Sequence, residues 1–188
     1  GFVRKHAATA IREVCKHTPE LAQLVVSNGG VAALVDYVDE SEGNNRLPGV
    51  MALGYISAFS ETLATAVIAS KGIAPLFASL VEEPEDHVKS ASAWSLGQIG
   101  RHTPNHAKAI ADAGVLAKLV AVGSLPSSSE DLRTKCVRAL RFVIEKLTDL
   151  AALDRTLQER GLPHEVVKFV VHQISKVLPN DPKGRHDF

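Results

Sequence analysis

Thr103-Pro104-Asn105-His106-Ala107, with Ile110-Ala111-Asp112-Ala113-Gly114 and Val115-Leu116-Ala117-Lys118-Leu119 behind it, is the stretch that decides how this chain folds. Thr103 offers a hydroxyl to the free N–H groups of a helix start, and Pro104 sits where a missing N–H costs nothing. Gly114 ends that short helix by taking the left-handed conformation, and a second apolar helix begins at once. The same signals recur in Thr18-Pro19-Glu20-Leu21-Ala22, Ser60-Glu61-Thr62-Leu63-Ala64 and Thr148-Asp149-Leu150-Ala151, followed in register by Gly30, Gly72 and Gly161. The four glycines are spaced by 42, 42 and 47 residues. After each second helix comes a polar loop, Glu40 to Asn45, Glu82 to Asp86 or Pro126 to Asp131, and then a longer third helix such as Val88 to Gly100. A fixed period of this length is the mark of stacked helical units, each too small to bury its apolar face alone.

Working outward, the 188 residues are 45% hydrophobic, 22% charged and only 5% aromatic, and apolar positions recur every three or four residues, as in Ile11, Val14, Cys15 and Leu53, Ile56. These numbers exclude a disordered tail and predict an all-α chain. The repeats predict a single domain over 1–188, made of a partial repeat 1–18, full repeats 19–60, 61–103 and 104–147, and a partial repeat 148–188. Twenty-one basic and twenty-one acidic residues cancel, which argues against a nonspecific nucleic-acid binder. The charge is segregated: residues 20–86 hold two basic and ten acidic residues, and residues 87–188 hold fifteen basic and ten acidic. Cys15 and Cys136 make no disulfide framework and read as buried small hydrophobes in a reduced, cytoplasmic compartment. Leu21 to Val35 and Leu47 to Ser60 fall short of the roughly 20 apolar residues a membrane span needs, so no membrane partner is expected. The chain starts without Met inside an apolar-periodic segment, which is read as a piece of a longer repeat array.

The chemistry-bearing motifs are missing. No phosphate-binding Gly-x-x-x-x-Gly-Lys, no Gly-x-Ser-x-Gly elbow and no His-Glu-x-x-His occurs, so neither an enzyme nor a cofactor is expected. His102 and His106 are four apart, but Thr103-Pro104 between them starts a helix, so they read as capping and corner groups rather than metal ligands. Glu82-Glu83-Pro84-Glu85-Asp86-His87 lacks the spacing of a calcium loop and reads as a solvated turn, with Glu85 and Asp86 at the positive end of the following helix.

Short, second and long third helices in about 42 residues resemble the armadillo repeat, carried here by Pro19-Glu20-Leu21, Gly29-Gly30-Val31 and Ala93-Trp94-Ser95-Leu96-Gly97-Gln98-Ile99. The resemblance implies a right-handed α-solenoid whose third helices line a concave groove. Aligned on Trp94 and Gln98, those helices place Thr9 and Glu13, Met51 and Tyr55, and Arg138 and Phe142 at matching positions. Nuclear-import receptors of this superfamily carry a Trp and Asn ladder there. Only Trp94 matches it, with Glu13, Tyr55, Gln98 and Phe142 in place of Asn. Lys135, Arg138 and Arg141 follow at three-residue spacing, with Arg133 and Lys146 near, and predict a basic end to the groove. The expected partner-binding set is therefore Met51, Tyr55, Trp94, Gln98, Lys135, Arg138, Arg141 and Phe142.

A narrower resemblance is carried by Ala10-Ile11-Arg12-Glu13-Val14-Cys15-Lys16-His17-Thr18-Pro19, by Arg46-Leu47-Pro48-Gly49-Val50-Met51, by Glu82 to His87, by Ala93 to Pro104 and by Ser175-Lys176-Val177-Leu178-Pro179. These runs resemble the armadillo proteins of the axonemal central apparatus, the sperm-associated antigen six family. That resemblance implies a non-enzymatic scaffold of the central microtubule pair in cilia and flagella, needed for motility and central-pair integrity. Its partners would be central-pair proteins and an acidic surface such as a tubulin tail, with self-association through apolar end faces. The competing expectation is a soluble armadillo peptide receptor, of the nuclear-import or signalling type.

Overall fold

A computed structural model describes residues 2–147, 158–159, 161, 163–166 and 168. The chain divides into two compact units, Gly1–Leu147 and Thr148–Phe188. In the first, the described residues form α1 (Phe2–Cys15), α2 (Pro19–Ser27), α3 (Gly30–Asp39), α4 (Leu47–Phe59), α5 (Glu61–Ala69), α6 (Ile73–Glu82), α7 (Asp86–Gly100), α8 (Pro104–Asp112), α9 (Val115–Gly123) and α10 (Glu130–Leu147), with a 3-10 turn at Gly43–Asn45. Three successive triplets, α2–α4, α5–α7 and α8–α10, thus follow a lone α1. In the second unit the described residues are few: Gly161 is left-handed, with a φ of 76°, and the fragments around it are exposed. The partial repeat expected over 148–188, including the Thr148 cap and Ser175 to Pro179, otherwise lies outside the described residues.

The start signals act as the sequence predicts. Thr18, Ser60 and Thr103 sit in extended backbone, and each hydroxyl accepts from the N–H three residues on, in Leu21, Leu63 and His106, at 3.3, 3.2 and 3.3 Å. The stop signals are shifted by one residue in two of the triplets. Gly114 is left-handed as expected (φ 77°), but in the first triplet Gly29 takes that conformation (φ 75°) and Gly30 opens α3. In the second, Lys71 is left-handed (φ 62°) and Gly72 has an ordinary φ of −68°. There the glycine is needed for space: a Cβ on Gly72 would sit 2.7 Å from the Val67 side chain and 3.0 Å from its carbonyl oxygen.

The sharp turns between first and second helices are 82° for α2 and α3 and 78° for α5 and α6. They leave α1, α4, α7 and α10 free to pack in sequence, each on the next. Leu53, Ile56, Leu96, Ile99 and Leu132 from this ladder are fully buried with Leu34, Leu76, Leu80, Ile110 and Leu119 of the outer helices. Burying each such side chain stabilises by about 1.5–3 kcal/mol, and one continuous cluster collects them across all three triplets. Cys15 and Cys136 belong to it, both thiols pushed up to about 11 by burial. Among the described residues, no single helix is long and apolar enough to cross a membrane.

The turn at Glu82 to His87 departs from the solvated reading. Glu83 is 5% exposed, accepts from the Gly43 N–H at 3.0 Å and lies 3.1 Å from the guanidinium of Arg46, itself 5% exposed. Arg46 Nε donates to the carbonyls of Val38 and Ser41 at 2.9 and 2.7 Å. The loop of the second triplet is thereby locked into the loop of the first, and paired donors and acceptors are what permit two charges to be buried. The histidines are corner groups. His102 Nε2 donates to the Ser57 carbonyl at 2.5 Å, and His106 Nε2 lies 2.9 Å from the Thr65 hydroxyl and 3.2 Å from the Glu61 carbonyl. Burial is the largest influence on His102 and lowers its pKa.

The third-helix ladder as a candidate protein-binding face

Residues four apart on a helix share a face, so Leu47, Met51 and Tyr55 on α4, Ser90, Trp94 and Gln98 on α7, and Thr134, Arg138 and Phe142 on α10 form three parallel stripes. Glycines fix how closely the stripes approach. A Cβ on Gly54 would lie 2.2 Å from the Trp94 ring and 2.4 Å from Ser95 Oγ, and one on Gly97 would lie 2.9 Å from the Ala139 backbone. Trp94 fills the space that Gly54 leaves and meets Tyr55 edge-on, with ring centroids 5.1 Å apart and planes at 68°. Ser95 Oγ donates across the same gap to the Val50 carbonyl at 2.9 Å. Met51, Tyr55 and Trp94 are each half-buried, presenting apolar surface at the edge of the ladder.

The next step differs. Gln98 and Phe142 are buried, 5% and 9% exposed, so they serve as a floor rather than as open walls. Gln98 Oε1 accepts from Arg101 at 2.8 Å, and the Arg101 guanidinium lies 5.7 Å over the Phe142 ring. Of the basic residues expected on α10, Arg138 and Arg141 are exposed, whereas half-buried Lys135 lies 3.8 Å from Asp131. Arg133 points elsewhere and donates to the carbonyls of Leu125 and Pro126 at 3.1 and 2.7 Å. At the other end of the ladder, Glu13 takes hydrogen bonds from Lys16 and Arg12, which hold its carboxyl below the usual range. Ser90, one turn before Trp94, buries a hydroxyl that has no partner in the described structure. Arg101 was not predicted as a site residue. Its signal was local: a basic residue just past the end of α7, three positions beyond Gln98. Among the described residues, no three His, Cys, Asp or Glu side chains converge as metal ligands.

The same arrangement of helices is found in designed armadillo repeat proteins. One, in complex with the peptide (KR)4, superposes with a TM-score of 0.70 over 95% of this chain and 77% of its own, at 20% identity. Another, computationally designed for modular peptide recognition, gives 0.68 over 86% of this chain and 70% of its own, also at 20% identity. This is the armadillo fold. No family model matches the sequence. Over 109 residues, 58% of the chain, it is 52% identical to sperm-associated antigen 6 of Mus musculus and to that of Homo sapiens, which bears out the narrower resemblance. The importin subunit alpha-1b of Oryza sativa subsp. japonica is 24% identical over 174 residues, 92% of the chain and 31% of that protein. The matched stretch spans about a fifth, 21%, of the length of the sperm-associated antigen 6 relatives.

Proposed function

We propose that this armadillo protein is a non-enzymatic interaction scaffold of the axonemal central pair in cilia and flagella, contributing to motility and to the integrity of the pair. The observation that carries the reading is the 52% identity to sperm-associated antigen 6, far above the 20–24% shared with designed armadillo proteins and importin. A ladder of interlocked helices, stiffened by the Arg46–Glu83 lock, suits a part that holds partners in register. In this reading the partners are central-pair proteins and microtubules, the site is the cytoskeletal axoneme, and Met51, Tyr55, Trp94, Arg138 and Arg141 supply docking surface. The second reading, a soluble peptide receptor, is favoured by one observation, the half-exposed Trp94 braced by Tyr55. Fractionation of demembranated flagella separates them. Retention in the axoneme, lost together with the central pair in cells lacking it, is the expected result; a soluble or nuclear pool supports the receptor instead.

A further inference from the structure

Arg101 lies beside Gln98 and Phe142 and forms no ion pair with any described residue. Its guanidinium is fixed from one side by Gln98 and from below by the Phe142 ring, and one of its five N–H donors is committed to Gln98. Among the described residues, no carboxylate lies within ion-pair distance of Arg101 or of Arg138, which stands one turn before Phe142 on α10. On α10 the acidic side chains are Glu130, Asp131, which faces Lys135, and the exposed Glu145, one turn beyond Phe142. Asp86 is the sole acidic residue of α4 and α7, and its carboxylate accepts from the Ser129 N–H at 2.6 Å. The acidic residues of the first two triplets lie instead on the loops and outer helices, where Asp36, Asp39, Glu40, Glu42 and Glu82 are exposed.

From this we infer that the α7–α10 step binds the carboxylate of an extended, acidic protein segment, with Arg101 and Arg138 as the ion-pairing groups and the Tyr55–Trp94 step seating an apolar side chain of the same segment. A guanidinium already hydrogen-bonded to Gln98 and placed over an aromatic ring loses less freedom on meeting a planar carboxylate. Neighbouring helices lie about 8–10 Å apart. Seven residues of helix from Trp94 to Arg101 add about 10 Å along the axis. The two steps are therefore spanned by roughly four extended residues, an even number that returns side chains to one face.

The inference rests on the reading of the ladder as a docking surface and is tested separately from it. The 188-residue chain is titrated with two labelled peptides of about twelve residues, one Glu-rich with a single Phe and one Lys/Arg-rich, following anisotropy and the emission of Trp94, the chain's sole tryptophan. The acidic peptide is expected to bind saturably and shift Trp94 emission, and Arg101→Gln or Arg138→Gln to weaken it by roughly tenfold each, about the effect of one charge-assisted hydrogen bond. Raising salt from about 50 to 300 mM is expected to weaken it further. Unchanged urea unfolding shows that each variant is folded. No saturable acidic binding, preference for the basic peptide, or acidic binding indifferent to both substitutions overturns the inference. Any of these with axonemal retention intact removes the partner class alone, whereas a soluble pool removes the scaffold reading whatever the peptides do.

Discussion

The two junctions between triplets are built on one plan and handle charge in opposite ways. Where the first triplet meets the second, a cation is buried: Arg46 is sealed against Glu83, and the third helices meet through aromatic rings, Trp94 on Gly54 and Tyr55. Where the second meets the third, Gly97 admits the Ala139 backbone, the loops are joined through the exposed Asp86 bond to Ser129, and the cation, Arg101, stays at the surface over Phe142. The fold needs close approach at both junctions, and glycine provides it. It does not dictate which side chains stand beside that approach, and the side-chain chemistry differs there.

The largest effect is expected at the buried pair. Glu83→Ala strands the Arg46 charge and is expected to cost about 3–5 kcal/mol in urea unfolding, while Asp86→Ala, at the corresponding loop of the second junction, costs less than about 1 kcal/mol. Arg46→Met combined with Glu83→Leu recovers part of the loss, but not all, since the Gly43 N–H still lacks its acceptor. Equal costs for Glu83→Ala and Asp86→Ala erase the contrast.

Next come the glycines. Gly54→Ala and Gly97→Ala are each expected to cost about 1–3 kcal/mol through overpacking. Only Gly54→Ala presses on the Trp94 ring, so it alone is expected to alter the emission of the folded protein; a matching change from Gly97→Ala contradicts the packing described.

A pH effect follows from His102. Its folded pKa lies below the ordinary value near 6.5, so the folded state favours the neutral ring, and the unfolded chain binds more protons as pH falls below about 6.5. Stability is therefore fully present above that pH and falls as pH drops toward the folded pKa. Unfolding midpoints from pH 8 to about 5 check this, and His102→Gln is expected to flatten the profile in part. The smallest effect is at Ser90, whose unpaired hydroxyl makes Ser90→Ala neutral or slightly stabilising, whereas Ser95→Ala loses the bond to Val50 and costs about 1 kcal/mol.

These differences explain what the sequence disclosed. The caps at Thr18, Ser60 and Thr103 act through the chain's own neighbouring N–H groups, so spacing alone revealed them. Gly29 and Lys71 took the left-handed positions expected of Gly30 and Gly72 because the second helices begin at or beside those later glycines, a choice made by contact with Val25 or Val67. The Arg46–Glu83 lock joins residues 37 apart across two triplets, and nothing local marks Glu83 among its acidic neighbours. Trp94 and Tyr55 were each legible as ladder positions by aligning the third helices, which set Tyr55 opposite Gln98, but their edge-on contact and the placement of Arg101 over Phe142 depend on packing between helices that spacing does not reveal.

If this ladder is a docking surface of an axonemal scaffold, charge reversal on it should release the protein from the axoneme. The most direct measurement is salt-wash retention, in demembranated flagella, of the protein bearing Arg101→Glu and Arg138→Glu, beside the wild type and an Asp36→Lys control on the outer edge. Wild type and control are expected to stay in the axoneme while the ladder variant is released. Retention of all three, or a wild type already soluble, contradicts it.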